Sequence, residues 1–86
     1  MFGKIFGRVQ GVGYRVWTKK TAQKHSLNGW VMNCSDESVE FVVSGEINNI
    51  DKFVEECYEG PAFSNVKTID LKKIPFSEFE NFEIKY

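Results

Sequence analysis

The sequence has few of the residues that bind metals or cross-link secreted proteins. It contains two cysteines, Cys34 and Cys57, and a single histidine, His25. Two thiols so far apart fit neither a tetrahedral zinc site, which needs four ligands, nor the dense disulfides of a small secreted scaffold. We therefore expect two reduced thiols and no metal site.

An excess of charge of one sign and long apolar runs are also missing. Eleven Lys and Arg against twelve Asp and Glu give a formal net charge of −1, whereas nucleic-acid binding usually needs a strongly basic surface. No segment approaches the roughly 20 apolar residues of a membrane span, and the amino terminus lacks the apolar run of a signal peptide. We expect a soluble, cytoplasmic protein with a small-molecule partner, and neither nucleic acid nor membrane.

The chain does have enough apolar residues for one small core. Of its 86 residues, 42% are apolar and 15% are aromatic, which suffices for one domain and leaves little room for a second. No repeat, low-complexity tract or linker divides the sequence. We expect residues 1–86 to form a single, monomeric domain.

Hydrophobic periodicity predicts an alternation of strands and helices. In chain order the predicted elements are a strand at 2–9, a helix at 14–26, strands at 28–33 and 38–45, a second helix between a cap at Asn48 or Asn49 and Gly60-Pro61, and strands at 65–74 and 82–86. The last two strands are joined by the polar connection "PFSEFEN" (75–81). The second helix has its apolar residues at helical spacing: Ile50, Phe53, Val54, Cys57 and Tyr58.

This order predicts an α+β, ferredoxin-like βαββαβ sandwich, with an antiparallel sheet, two helices on one face and a short extra strand at the end. In that topology the third strand lies between the first two and runs antiparallel to both. The first two strands are then parallel, and their carboxyl ends share one edge of the sheet. We therefore expect the loop after the first strand and Asn33, at the end of the second, to face a common space that holds an anion and a water.

The stretch "GRVQGVGYR" (7–15) places three glycines and an arginine where the first helix begins. Gly11-Val12-Gly13 can aim several backbone N–H groups inward, and the helix adds its own unpaired N–H groups and the positive end of its dipole. Arg15 adds a planar guanidinium that can bind two phosphate oxygens at once. The alternative is a tight turn followed by a solvated arginine. The dinucleotide and Gly-Lys-Ser/Thr phosphate motifs are both absent.

Together with "GWVMN" (29–33), this stretch resembles the acylphosphatase family. The similarity extends over essentially the whole chain, through "SVE" (38–40), Gly45, "EGP" (59–61) and "FEIKY" (82–86). The resemblance implies hydrolysis of acyl phosphates to a carboxylate and inorganic phosphate, without metal or cofactor. It also implies that Arg15 binds the phosphoryl group and that Asn33 orients the attacking water. The remaining phosphate-binding residues implied by the resemblance contribute backbone N–H groups: Val9, Gln10, Gly11, Val12, Gly13 and Tyr14. We expect inorganic phosphate or sulfate to be able to occupy the same site.

The chemistry accounts for the lack of an acid or base in these motifs. The leaving group of an acyl phosphate is a carboxylate with a pKa of about 4, so it needs no general acid. Catalysis then rests on positioning and on stabilisation of charge. We expect His25, near the far end of the first helix, to take no part, and an unactivated phosphate ester to be a poor substrate.

Some positions depart from the family pattern. Met32 stands where a basic residue is frequent, and Glu37, in "CSDES", stands where glycine is usual. Glu37 predicts either a turn without a positive φ or a strained turn that keeps one. "EECYEGP" lacks the tryptophan that commonly precedes the Gly-Pro.

Two other function classes stay open. The first is a module that binds phosphate or carbamoyl phosphate without rapid turnover, like the acylphosphatase-type domains at the head of larger maturation enzymes. The expectation that the chain stands alone disfavours it. The second is a ferredoxin-like interaction or RNA-binding domain, which needs exposed aromatic and basic residues on the open sheet face. Phe6 and Trp30, with Glu40 beside them and a balanced charge, make a weak case for that class.

Overall fold

The computed structural model describes residues 1–75 and 77–86, so that Phe76 of the predicted 75–81 connection lies outside the described residues. Within those residues the chain forms five strands and two helices in the predicted order. They are β1 (Phe2–Arg8), α1 (Tyr14–Lys24), β2 (Asn28–Asn33), β3 (Val39–Ser44), α2 (Ile47–Glu59), β4 (Asn65–Lys72) and β5 (Phe82–Lys85). None of the helices in these ranges has the length and apolar content to cross a membrane.

The strands form one sheet in the order β4-β1-β3-β2-β5. β3 lies between β1 and β2 and is antiparallel to both, which confirms the predicted ferredoxin-like arrangement. β5 adds a refinement, because it pairs with β2 in parallel, and the complete sheet is mixed rather than wholly antiparallel. β4 and β5 lie at opposite edges of the sheet. β4 is antiparallel to its neighbour β1, whereas β5 runs in the same direction as its neighbour β2.

The core lies between the sheet and the two helices. The predicted strand alternation is confirmed, since Val39, Phe41 and Val43 are all buried towards the helices. The Phe41 ring meets the Phe53 ring of α2 edge to face, with centroids 5.1 Å apart, a favourable aromatic geometry. Tyr58 was predicted on the packed stripe of α2, but it is 50% exposed. It lies at the margin of that stripe in the last turn, so the prediction is wrong at this position.

The ends of the helices differ from the predicted ones for local backbone reasons. α2 begins at Ile47, directly after Glu46, whose carbonyl accepts from the N–H groups of Asn49 and Ile50. The prediction that Asn48 or Asn49 caps this helix is therefore wrong, because both already lie inside its first turn. α1 ends at Lys24, before the predicted boundary, since Ser26 has a φ of 58° and leads the chain away from the helix axis.

Candidate active site

The carboxyl ends of β1 and β2 meet the start of α1 at one edge of the sheet, as the topology predicts. A cavity of about 120 Å³ lies there, large enough for a group bigger than one water molecule. It is lined by Val9, Gly11, Gly13, Tyr14, Arg15, Val16 and Asn33. The structure thus brings the loop, the arginine and the asparagine together. Two of the predicted loop residues, Gln10 and Val12, lie outside this lining, and Val12 packs against the core.

The 9–13 loop has the backbone geometry of an anion-binding concavity. Gly11 and Gly13 both have left-handed φ values, 73° and 77°, on either side of Val12. A Cβ added to either glycine would meet nothing within 4 Å, so glycine serves the backbone conformation here and not close packing. Alternation of this kind turns successive N–H groups towards the same side of the chain.

The N–H groups at the start of α1 are unpaired with protein. Within residues 1–75 and 77–86, the N–H groups of residues 11–16 donate to no protein acceptor, and the first bond of the helix runs from the Trp17 N–H to the Gly13 carbonyl, at 3.1 Å. The first turn contains no acidic residue, and Gly13 offers no capping side chain. The positive end of the helix dipole therefore faces the cavity uncompensated, which favours an anion.

Tyr14 fixes the beginning of α1 against α2. Its side chain is buried, and its hydroxyl donates a hydrogen bond of 2.5 Å to the Cys57 carbonyl. Burial raises the pKa of Tyr14 above its usual value, so the hydroxyl keeps its proton and remains a donor. Because Arg15 is the next residue, this bond also fixes the backbone from which the guanidinium extends.

Arg15 is partly exposed and has an aromatic neighbour. Its guanidinium carbon lies 4.8 Å from the centroid of the Tyr86 ring, within the range of a cation–π contact. Tyr86 reaches this position because β5 is parallel to β2, with Lys85 opposite Met32. The sequence interpretation missed Tyr86 and also Val16, which lines the cavity. The signal for Tyr86 was the strand pattern at 82–86, but only the pairing partner of that strand reveals the contact.

Asn33 presents an unpaired oxygen. Within the described part of the chain, its Oδ1 is the one buried side-chain polar atom without a hydrogen-bond partner. A buried amide oxygen without a partner is costly. Asn33 also lines the cavity, so its amide group borders the space in which a bound molecule would lie.

The 34–38 turn, between β2 and β3, borders the site and is held by its own polar groups. Asp36 accepts hydrogen bonds from the hydroxyl and N–H of Ser38, and its carboxylate lies 3.1 Å from Lys4 Nζ. These contacts, the Ser38 hydroxyl first, lower the pKa of Asp36 to about 2. The carboxylate thus stabilises the turn above pH ~4 and loses that effect as the pH falls through about 2. Glu37 has a φ of 71°, so the turn keeps the strained geometry that was one of the two predicted outcomes.

His25, Glu56 and the two cysteines are not among the residues that line the cavity. His25 contacts Glu56, which also binds Lys24 at 2.5 Å, where α1 meets α2. These hydrogen bonds, that of Lys24 first, lower the pKa of Glu56. Both cysteines are free thiols, as predicted, and burial raises the pKa of each. Among the residues that the structure describes, no cluster of three or more His, Cys, Asp or Glu side chains is placed to hold a metal ion.

Comparison with known proteins gives a consistent result. Residues 1–84 match the sequence model of the family described as acylphosphatase. An acylphosphatase of Clostridium acetobutylicum is 42% identical over 84 residues, which are 96% of this chain and 92% of the relative. The crystal structure of acylphosphatase from Bacillus subtilis is 36% identical, covers 100% of both chains and has a TM-score of 0.92. Full-length HypF, in a phosphate- and nucleotide-bound form, is 34% identical with a TM-score of 0.87, and the match covers 99% of this chain and 12% of HypF.

Proposed function

Because the chain belongs to the acylphosphatase family and is an acylphosphatase, we propose that it hydrolyses acyl phosphates in the cavity between the 9–13 loop and Asn33. The observation that carries this proposal is that two kinds of group meet in the lining of one small cavity. The loop with its unpaired N–H groups and Arg15 are among the lining residues. Asn33, whose buried amide oxygen has no partner among the described residues, is another. The first kind of group suits a phosphoryl group, and the second suits a water.

Arg15 and the N–H groups of the loop bind the phosphoryl oxygens in this proposal. A guanidinium forms two parallel hydrogen bonds with a phosphate, and N–H groups at the start of a helix add donors that need no rearrangement during the reaction. In phosphoryl transfer, negative charge is spread over three equatorial oxygens in the transition state. Donors that are fixed in advance around those oxygens lower the barrier.

Asn33 orients the attacking water. Its Oδ1 accepts a hydrogen bond from that water, which places the water oxygen in line with the bond to the leaving group. The water oxygen bonds to phosphorus, and the bond from phosphorus to the acyl oxygen breaks with its electron pair on the carboxylate. Both protons of the water leave with the product as dihydrogen phosphate. The loose transition state requires little activation of the nucleophile, so no general base is needed.

The proposal requires neither a metal nor a cofactor, because the leaving group is already a weak base with a pKa of about 4. We also propose that residues 1–86 act as one domain, as a monomer and in the cytoplasm. Inorganic phosphate, as the product, and sulfate, which has the same shape, are expected to compete with the substrate.

The likeness to one part of HypF favours a second candidate, a phosphate-binding module with slow turnover. The match covers 99% of this chain and only 12% of HypF, so the same fold also occurs inside a much longer protein. A module of this kind would bind phosphate at the same cavity. Turnover of an acyl phosphate therefore separates the two candidates, whereas phosphate binding does not.

The test is release of phosphate from an aryl acyl phosphate in the presence of EDTA. We expect wild-type turnover that EDTA leaves unchanged, and a fall in kcat/KM of roughly 10³-fold for Arg15→Gln. Arg8→Gln is the matched control, because Arg8 is exposed and ends β1 outside the cavity lining. Absence of wild-type turnover would favour the binding module. Loss of activity in EDTA would overturn the metal-free reaction, and equal activities of the two variants would overturn the role of Arg15.

A further inference from the structure

The side chain of Gln10 points away from the cavity and bridges to the 34–38 turn. Its Nε2 donates hydrogen bonds to the Cys34 carbonyl, at 2.9 Å, and to the Ser38 carbonyl, at 2.8 Å. Both carbonyls are acceptors only, so the nitrogen of the amide must be the atom that faces them. The NH₂ group has two hydrogens and two acceptors, and its donor capacity is fully used.

These two bonds connect the two halves of the site. Asn33 and Val39 are the last paired residues of β2 and β3. The two carbonyls held by Gln10 belong to Cys34 and Ser38, which are the next residues on the turn side of that pair. On the other side, Gln10 is adjacent to Gly11 in the loop. The pairing of β1 with β3 ends at Ile5, so the sheet does not hold the 9–13 loop against the turn. The Gln10 amide makes that connection.

We propose that Gln10 is a positioning residue, which sets the distance between the phosphate-binding loop and Asn33. This proposal rests on the proposed function. The loop and Arg15 fix the phosphorus atom, and Asn33 fixes the water, so the reaction depends on the separation of two segments that are distant in sequence. A displacement of about 1 Å between reacting atoms can cost roughly 10²-fold in rate. Gln10 keeps the two segments in register without touching the substrate through its side chain.

A purely structural role would have a different signature. If Gln10 only stabilised the fold, its loss would lower the melting temperature, and the folded protein would keep its kcat. If Gln10 positions Asn33, its loss lowers kcat more than it weakens phosphate binding, because Arg15 and the loop N–H groups still bind the phosphoryl group. The ratio of these two effects therefore distinguishes the roles.

The experiment compares Gln10→Leu, which keeps the approximate size and removes both hydrogen bonds, with Gln23→Leu. Gln23 is exposed on α1 and provides the same chemical change elsewhere. Measured below the melting transition with an aryl acyl phosphate, Gln10→Leu should lower kcat by about tenfold or more. Its inhibition constant for inorganic phosphate should change by less than about threefold, and Gln23→Leu should match the wild type. An unchanged kcat in Gln10→Leu would overturn the proposal.

Gln10→Asn is a second variant that keeps the amide but is shorter by one methylene, so it cannot reach both carbonyls. It provides the same test if Gln10→Leu does not fold, and a wild-type kcat in Gln10→Asn would equally overturn the proposal.

A double-mutant cycle with Asn33→Ala tests whether Gln10 acts through Asn33. In the Asn33→Ala background, the Gln10 substitution should change kcat by less than about twofold, because the residue that it positions is missing. A full tenfold loss in that background would show independent action and contradict the proposal. If Asn33→Ala and Arg15→Gln lose activity while the Gln10 variants keep it, only the role of Gln10 fails. If Asn33→Ala hydrolyses as fast as the wild type, the proposed role of Asn33 fails, and that of Gln10 with it.

Discussion

The 34–38 turn and the 9–13 loop, with the first turn of α1, differ in whether their backbone N–H groups have acceptors within the protein. In the 34–38 turn, the N–H groups of Cys34 and Glu37 donate to carbonyls of the turn itself, and Ser38 donates to Asp36. In the 9–13 loop and the first turn of α1, the N–H groups of residues 11–16 find no acceptor within the described part of the chain. Every α-helix leaves its first N–H groups without partners inside the helix, and at the start of α1 no side chain caps them. The difference indicates that the loop is arranged for an external acceptor and the turn is arranged for its own stability.

A left-handed backbone conformation, in contrast, does not distinguish the two segments. Both contain residues with left-handed φ values, Gly11 and Gly13 in the loop and Glu37 in the turn. Glycine adopts this conformation without a steric cost, whereas a residue with a Cβ is strained by it. The strained residue is therefore in the turn, and the unstrained ones border the cavity. A positive φ alone does not mark a functional residue in this protein.

Among the substitutions that test this difference between the loop and the turn, Gly13→Val is expected to have the largest effect on kcat/KM and on the free energy of unfolding. A β-branched residue at a φ of 77° should shift the backbone and turn the N–H groups away from a common point. We expect a fall in kcat/KM of about tenfold or more, since each lost donor is worth at least that much, and a loss of about 1–2 kcal/mol in the free energy of unfolding. Steady-state kinetics and urea denaturation measure the two effects.

Gly13→Asn is the matched control for this substitution. Asn tolerates the left-handed conformation better than other residues with a Cβ, and the space around Gly13 is open. Gly13→Asn should therefore keep most of the activity. If Gly13→Val is as active as the wild type, the loop conformation does not matter for the reaction.

A smaller effect, in the opposite direction, is expected from Glu37→Gly. Glycine removes the strain at this φ but gains entropy in the unfolded chain, so the free energy of unfolding should rise by only about 0.5–1 kcal/mol. Ser26→Gly is the matched control, because Ser26 has a φ of 58° and lies just before the amino end of β2, whereas the cavity is at the carboxyl end of that strand. Both variants should raise the denaturation midpoint and leave kcat within about twofold. A large loss of activity in Glu37→Gly alone would show that the turn takes a direct part in the reaction.

The sequence is sufficient to predict the order of the elements and the meeting of the loop with Asn33. Both follow from periodicity and from one topological rule, that strands flanking a common antiparallel strand are parallel and share an edge. The parallel pairing of β5 with β2, and with it the position of Tyr86 beside Arg15, is not accessible in this way. The pattern at 82–86 predicts a strand but does not identify its partner.

The directions of side chains and the local backbone conformation also cannot be predicted from this sequence. Gln10 lies in the predicted phosphate-binding loop, and no periodicity shows that its side chain reaches the carbonyls of Cys34 and Ser38. For Glu37 the sequence leaves two turn geometries open, because the cost of a positive φ is small compared with the contacts that hold the turn. The start of α2 at Ile47 depends on the backbone after Gly45 rather than on the asparagines that suggested a cap.

Titration of ¹⁵N-labelled protein with inorganic phosphate tests the central claim most directly, because it reads the N–H groups of the loop and of the turn in one experiment. The largest chemical-shift changes are expected at residues 11–16, with small changes at residues 35–37 of the turn. Arg15→Gln should abolish these changes at the same phosphate concentration. The largest changes at the turn, or a response that persists undiminished in Arg15→Gln, would contradict the claim that the unpaired N–H groups and Arg15 form the phosphate site.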